Sequence, residues 1–320
     1  MPFILERFYI QEPIKAFRFL MDTLKLSMAQ SQRYINKGRV VYNGDILGNN
    51  DKNKLLENFV DVLVFKPNRL GVKAVFENDD FIVFDKPEKL LIHPKGRFNH
   101  KSLVDEIRSH CGNDASLIHR IDKETSGLVL VGKHKDSIRE LGDMFAKNLI
   151  SKEYLALCRG YLSRDFCISV PISTQAKGRD LSIRSVFLGE NLNGNICTKD
   201  SANFSFKDSK SEFEILGHIF NNTLLKVRLY SGRTHQIRVH LHSINHAILG
   251  DPLYGCEDFK VREYLDSEFI EGGNFTCMSD SKRIEYFGAS RLMLHSYSMK
   301  FRYKNINYFF KSPFSIFSNL

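Results

Sequence analysis

Three stretches of the 320-residue chain crowd acids, bases and hydroxyls against short apolar runs. The densest is Leu117-Ile118-His119-Arg120-Ile121-Asp122-Lys123-Glu124-Thr125-Ser126-Gly127-Leu128-Val129-Leu130-Val131, a polar loop broken only by Ile121 and set between two apolar runs. An aspartate at such a strand end is rigidly placed yet reachable. Beside an arginine it stays ionised, because a nearby cation favours the charged form. That is the state a carboxylate nucleophile requires. Spacing alone, however, favours a solvated hairpin with an internal salt bridge.

The second stretch runs from Tyr230 to His246. Thr234 can cap a helix, on which Ile237, Leu241 and Ile244 form an apolar stripe. Arg233 would precede that helix, where its charge opposes the positive end of the dipole and is better tolerated with an anion opposite. His235, His242 and His246 would share one face, which invites a zinc site, but no H-E-x-x-H pattern and no Cys or Glu completes a ligand set. Contact with a polyanion, or packing beneath one, suits these side chains better, and no metal is expected. The third stretch, Phe84-Asp85-Lys86-Pro87-Glu88-Lys89-Leu90-Leu91-Ile92-His93-Pro94, runs from a strand into a loop stiffened by two prolines. It is either a structural turn or a support holding backbone against a ligand. Lys152-Glu153-Tyr154 also begins a strand, and alternation puts Lys152 and Tyr154 on one face. Such a tyrosine stacks on a planar base, moves a proton, or simply fills a core.

The elements that must position these residues follow from composition and pattern. The length fits about two domains. With 42% hydrophobic and 26% charged residues the chain is an ordinary globular one, and 26 Phe with 12 Tyr exclude extensive disorder. Six scattered cysteines without a C-x-x-C pair fit neither a zinc ribbon nor a disulfide scaffold. The N-terminus lacks the apolar core of a secretory signal, no run is long enough to span a membrane, and no Gly-rich phosphate loop is present. A cytoplasmic protein without nucleotide dependence is expected. The net charge of +9 points to a polyanionic partner or merely to solubility.

Residues 14–21 carry apolar positions at helical spacing, and 27–38 read as a second helix with a serine cap and Gly38 at its end. Arg39 to Asp45 reads as a strand entering an Asn-Gly turn. Between Ile14 and Lys66, nine basic and five acidic residues leave +4, a large share of the whole surplus. Lys66 to Gly71 is the expected linker. Beyond it come strands at Phe81–Asp85, Leu128–Val131, Tyr154–Leu157 and Leu224–Leu229, with helical patterns at Asp136–Ile150 and Thr234–Asn245. Their irregular alternation predicts an α+β fold. Residues 173–211 are polar, a loop or hairpin region, and no internal repeat is visible.

Taken in order, these segments resemble the bacterial ribosomal large-subunit pseudouridine synthases of the RluA type. The match is carried by Asp85-Lys86-Pro87 through His93-Pro94; His119-Arg120-Ile121-Asp122 with Thr125-Ser126-Gly127; Lys152 to Leu157; and Gly232-Arg233-Thr234-His235-Gln236-Ile237-Arg238 with Gly250-Asp251-Pro252-Leu253-Tyr254-Gly255. Arg291 to His295 fits the family's C-terminal strand. The first sixty-odd residues resemble the small α-L RNA-binding module of several members, although Ala16-Phe17-Arg18 replaces the usual Arg-Leu-Asp. Ile121 replaces a leucine, and Lys89 stands where a glycine is common.

The resemblance implies a small α+β RNA-binding module at 1–68 and a catalytic domain at 72–320 with a mixed, mainly antiparallel sheet flanked by helices. It implies an isomerase that converts specific uridines, most readily of 23S ribosomal RNA, to pseudouridine by base flipping and without a cofactor. Asp122 is the implied nucleophile, Tyr154 the ring under the flipped uracil that assists proton removal, and Arg233 the partner keeping Asp122 ionised. Arg120 would replace the extruded base, Ile237 would wall the uracil pocket, and His119, Thr125 and Lys152 would complete the substrate site. Lys15, Arg18, Arg33, Lys37 and Arg39 are the RNA-binding candidates in the module. A role in ribosome biogenesis as a monomer is expected, with transfer RNA the other possible target. The alternative is a non-catalytic RNA-binding or assembly factor on the same fold.

Overall fold

The structure is a computed structural model, and it describes residues 3–66, 69–93, 101–173, 205–268, 270–271, 274–275 and 277–313. The chain divides into two compact units, Met1–Asn68 and Arg69–Leu320.

In the first unit, helices α1 (Ala16–Leu24) and α2 (Met28–Asn36) are joined by a short turn. Ser27 caps α2: its Oγ accepts the Gln30 N–H at 3.3 Å while the Gln30 side chain accepts the Ser27 N–H at 2.8 Å. This reciprocal pairing satisfies two otherwise orphaned backbone donors. The helices bury Phe19, Leu20 and Ile35 with Val40, Val60 and Val62 of an antiparallel sheet ordered Phe3–Tyr9, Phe59–Phe65, Val40–Tyr42, Asp45–Ile46. Asn43 and Gly44 both take positive φ (53° and 86°), as a two-residue hairpin with native strand twist demands.

In the second unit one sheet carries the strands Phe166–Ser169, Lys210–Ile219, Asn222–Leu229, Ser151–Arg159, Leu294–Tyr303, Ser126–Gly132, Phe81–Lys86 and Ala74–Glu77, in that spatial order. Neighbours are antiparallel except where Ser126 and Gly127 lie parallel to His295 and Ser296. The fold is therefore α+β with a mixed, mainly antiparallel sheet. The parallel junction explains the Thr-Ser-Gly sequence. Gly127 has φ of 108°, and a Cβ there would fall 2.2 Å from the Ser296 carbonyl oxygen. Only glycine lets these backbones meet.

Strands Phe81–Lys86 and Ser126–Gly132 are buried on both faces, which is why they read as continuous apolar runs. Val83, Leu128 and Leu130 pack with Leu141 of helix α4 (Lys135–Ala146), while Phe84, Val129 and Val131 pack with Leu103 and Ile107 of helix α3 (Leu103–Cys111). Ala156, Leu225 and Val227 from the other half of the sheet pack with Ile237 and Leu241 of helix α5 (Gln236–Ser243). Helices α6 (Asp258–Ser267) and α7 (Asp280–Phe287) bury Val261, Tyr264 and Phe287 together. The helix expected over 136–150 ends at Ala146, because the chain must turn before the strand that begins at Ser151. Pro94 and most of 173–211 lie outside the described residues, although Lys210 already starts a strand. Among the described residues no helix is long and apolar enough to cross a membrane.

Candidate active site

The loop bearing Asp122 leaves the short strand Ser116–Leu117 and returns into Ser126–Gly132. It is tied to that second strand at its start and closed on itself at its end. The Ile118 N–H donates to the Leu130 carbonyl at 3.0 Å, the Leu130 N–H donates to Nε2 of His119 at 3.1 Å, and the Thr125 N–H closes a turn on the Asp122 carbonyl at 3.2 Å. From below, Lys86 supplies its ammonium to the carbonyls of Pro87, Leu90 and Lys123 at 2.8, 2.9 and 3.0 Å. Burial pushes Lys86 down to about 7 although Glu124 and Asp122 pull it upward. Lys89, where a glycine is common, accepts a left-handed φ of 61° and reaches Asp280 at 2.7 Å.

Asp122 receives its cation from Arg238, not from Arg233. Arg238 is 2% exposed; its Nη1 donates to Asp122 at 3.2 Å, while Nε and Nη2 grip both oxygens of Asp251 at 2.7 Å. Asp251 also accepts the N–H groups of Leu253 and Tyr254 at 2.9 and 3.1 Å, so the Gly-Asp-Pro-Leu-Tyr turn is a fixed anionic socket for Arg238. A bidentate, charge-assisted pair of this kind leaves the guanidinium no rotational choice. His235 stands 3.8 Å from Asp122 and is bonded through Nδ1 to the Tyr254 hydroxyl at 2.9 Å. Burial alone would raise the Asp122 carboxyl, but His235, Arg238 and Arg120 outweigh it and hold the group below the ordinary aspartate value.

The expected pairing of Arg233 with Asp122 is thus corrected, and the reason is local. The helix begins at Gln236, preceded by His235 in a left-handed conformation (φ 59°), and Thr234 does not cap it. The Gln236 side chain instead accepts the Arg233 N–H at 3.0 Å and the Ser231 hydroxyl at 2.8 Å, and donates to the Lys210 carbonyl at 3.0 Å. Arg233 is left outside this frame, exposed, with Nε on the Asp208 carbonyl at 2.9 Å. Arg238 falls on the first helical turn and points inward. Among the described residues, His235, His240 and His246 of this segment are each held by a different partner. His235 serves Tyr254, His240 is bonded to both Ser209 and Ser211, and His246 meets the Arg159 carbonyl at 2.7 Å.

A cavity of about 380 Å³ opens over Asp122 and is lined by Arg120, His119, Thr125, Lys152, Tyr154, Arg233 and Ile237, so all eight expected catalytic and substrate residues face one space. Tyr154 is buried, and burial with the Asp122 charge pushes its phenol up to about 12. His119 stacks on Phe145 (5.2 Å, 8°) and burial drives it down to about 3, leaving a neutral ring. The Lys152 ammonium lies 4.1 Å from the centroid of the same Phe145 ring, and burial lowers it to about 8. Ile237 and Leu294 give apolar wall, and Arg120 is exposed. The space offers an ionised carboxylate beside a protonated phenol, with cations around them.

The family model described as RNA pseudouridylate synthase matches residues 80–243, which include all eight of the expected catalytic and substrate residues. An RNA pseudouridine synthase of Helicobacter pylori (strain J99) is 38% identical over 318 residues, covering 98% of this chain and 96% of that one. The chain belongs to the RNA pseudouridine synthase family. It is of the RluA type, and the enzyme is an isomerase. The ribosomal large subunit pseudouridine synthase D of Nitrosomonas europaea is 32% identical over 58% of this chain and 50% of its own length. The solved structure of human RNA Pseudouridylate Synthase Domain Containing 1 shares the fold, with a TM-score of 0.55, 20% identity, and coverage of 76% of this chain and 83% of that chain.

Residue reasoning missed the roles of Arg238, Asp251 and His235 in this synthase. The available signals were a guanidinium flanked by Ile237 and Val239 on the apolar side of a helix, and an acid fixed in Gly250-Asp251-Pro252. Buried charges are kept only where they are paired. In the first unit Lys15, Arg18, Arg33 and Lys37 are exposed. Arg18 already meets Asp22 at 3.2 Å, and Arg39 is half-buried, 4.0 Å over the Phe3 ring and 5.0 Å from Tyr34.

Proposed function

We propose that this pseudouridine synthase isomerises specific uridines of large-subunit ribosomal RNA in the cytoplasm, acting as a monomer with Asp122 as nucleophile. The single observation that carries the mechanism is the Asp251–Arg238–Asp122 chain at the floor of a cavity. It delivers one ionised, oriented carboxylate to a space bordered by an aromatic ring. A duplexed or stacked uridine must be flipped into that space, at a cost of a few kcal/mol in lost stacking, and exposed Arg120 fits the vacated position. Asp122 attacks the flipped nucleotide and the N1–C1′ bond breaks. After the uracil turns, a C5–C1′ bond forms as the bond to Asp122 breaks and releases its carboxylate, the C5 proton departs and N1 takes up a proton. Product and substrate are isomers, so no cofactor or redox partner enters the balance. Tyr154 forms the floor under the uracil and relays the C5 proton through its hydroxyl. With its phenol raised to about 12 and so neutral, Tyr154 takes the C5 proton only as it passes its own hydroxyl proton on towards N1.

The ribosomal target is supported by the name of the Nitrosomonas europaea relative, a ribosomal large subunit pseudouridine synthase, and by the basic surplus of the first unit, whose exposed cations suit phosphate contacts. The test is tritium release from 5-tritiated uridine in large-subunit ribosomal RNA. Wild-type protein releases tritium, and Asp122→Asn binds the RNA and releases none. Release that persists in Asp122→Asn would sink the nucleophile assignment, and release from transfer RNA alone would sink the target.

A further inference from the structure

The acid two residues beyond Asp122 is buried, and the reaction chemistry gives it no task. Glu124 is 4% exposed. Its Oε2 accepts from Arg283 Nη2 at 2.6 Å, and its Oε1 accepts from the Tyr264 hydroxyl at 2.9 Å. Both partners come from helices α6 and α7, and Arg283 is itself 2% exposed. Lys123 adds a contact with Glu268, at the end of α6. These partners lie beyond residue 243, outside the segment that the family model matches. The catalytic loop is therefore held from a part of the chain that the shared family segment does not supply.

We propose that Glu124 is a positioning residue for Asp122, and that helices α6 and α7 grip the catalytic loop through it. This rests on the reading of Asp122 as nucleophile. The geometry favours positioning over simple stabilisation. Replacing a buried ion pair with packed apolar side chains is often neutral or stabilising, so an economical core would not retain this one. What an apolar pair does not supply is direction. Two bonds to the two oxygens of Glu124 fix the carboxylate plane, and with it the turn that the Thr125 N–H closes on the Asp122 carbonyl. Lys86 holds the intervening Lys123 carbonyl at 3.0 Å. Asp122 is thus presented to Arg238 and to the cavity by bonds on the residues that follow it.

The test compares Glu124→Gln, the apolar pair Glu124→Met/Arg283→Met, and Asp122→Asn, each read by thermal denaturation, kcat and KM for RNA at a temperature where all are folded. Glu124→Gln is expected to lose roughly 10- to 100-fold in kcat, the scale of a misplaced reacting group, with KM within twofold. The double variant should recover the melting temperature and keep the kcat defect. Recovery of kcat together with stability would overturn the proposal, as would a wild-type kcat in folded Glu124→Gln. Asp122→Asn separates the two readings. If it remains active, the nucleophile assignment fails; if it is dead while Glu124→Gln is fully active, only the positioning role fails.

Discussion

In the catalytic unit, Arg238 and Asp251 are withdrawn from solvent and Asp122 is only about a quarter exposed, each meeting an opposite charge; in the N-terminal unit Lys15, Arg33 and Lys37 stand in water. The difference is one of cost. A buried charge loses its hydration and survives only as a member of a complete set, so removing one member strands the others. An exposed charge loses little and is screened within about 8 Å at physiological salt. The first arrangement suits chemistry that needs one carboxylate in one state. The second suits a phosphate backbone met in many registers.

Substitutions in the catalytic cavity should sharpen that contrast most. Tyr154→Phe keeps the aromatic floor and removes the hydroxyl. The expected result is a fall in kcat of about 10²- to 10⁴-fold, the range for a positioned proton-transfer group, with RNA affinity unchanged in a filter-binding assay. An equal loss of affinity would mean the hydroxyl binds substrate and moves no proton.

A smaller effect belongs to Lys152, whose ammonium is lowered from 10.5 to about 8 by burial. Its charge in the folded protein is lost as pH rises through about 8, so kcat/KM should decline above that pH by about tenfold per unit at most. Lys152→Met should abolish this limb. Stability runs the other way for the same group. Between about 8 and 10.5 only the unfolded chain holds the proton, so this contribution to folding rises with pH. Activity falling while the melting temperature holds would identify the limb as local titration; both falling together would identify unfolding.

The smallest effect is expected in the N-terminal unit. Arg33→Ala/Lys37→Ala should weaken RNA binding several-fold, reduce the slope of log affinity against log salt by about 2, and leave kcat at saturating RNA unchanged. A large kcat loss would erase the distinction between the two units.

How much of this was legible in the sequence follows the range of the interactions involved. The Ser27 cap, the Asn43-Gly44 turn and the doubly buried strands Phe81–Lys86 and Ser126–Gly132 depend on neighbours in the chain, and their residue types announce them. The ordered motifs brought eight residues to one cavity. What could not be read was which charges meet. Asp122 and Arg238 are 116 positions apart, and Glu124 and Arg283 are 159 apart. Arg233 and Arg238 lie on opposite sides of a helix start, and the start is set where His235 takes a left-handed conformation and the Gln236 side chain bonds back to the Arg233 N–H. The parallel contact of Ser126 with His295 likewise has no local signature.

The pairing of Asp122 with Arg238 is tested most directly by single-turnover tritium release at saturating RNA for Arg238→Lys beside Arg233→Lys. A lysine preserves charge but cannot span Asp251 and Asp122 in bidentate fashion. The expected result is a loss of about 10²-fold or more for Arg238→Lys with RNA affinity within twofold, and a near-normal rate for Arg233→Lys. A deep rate loss in Arg233→Lys alongside a near-wild-type Arg238→Lys would contradict it.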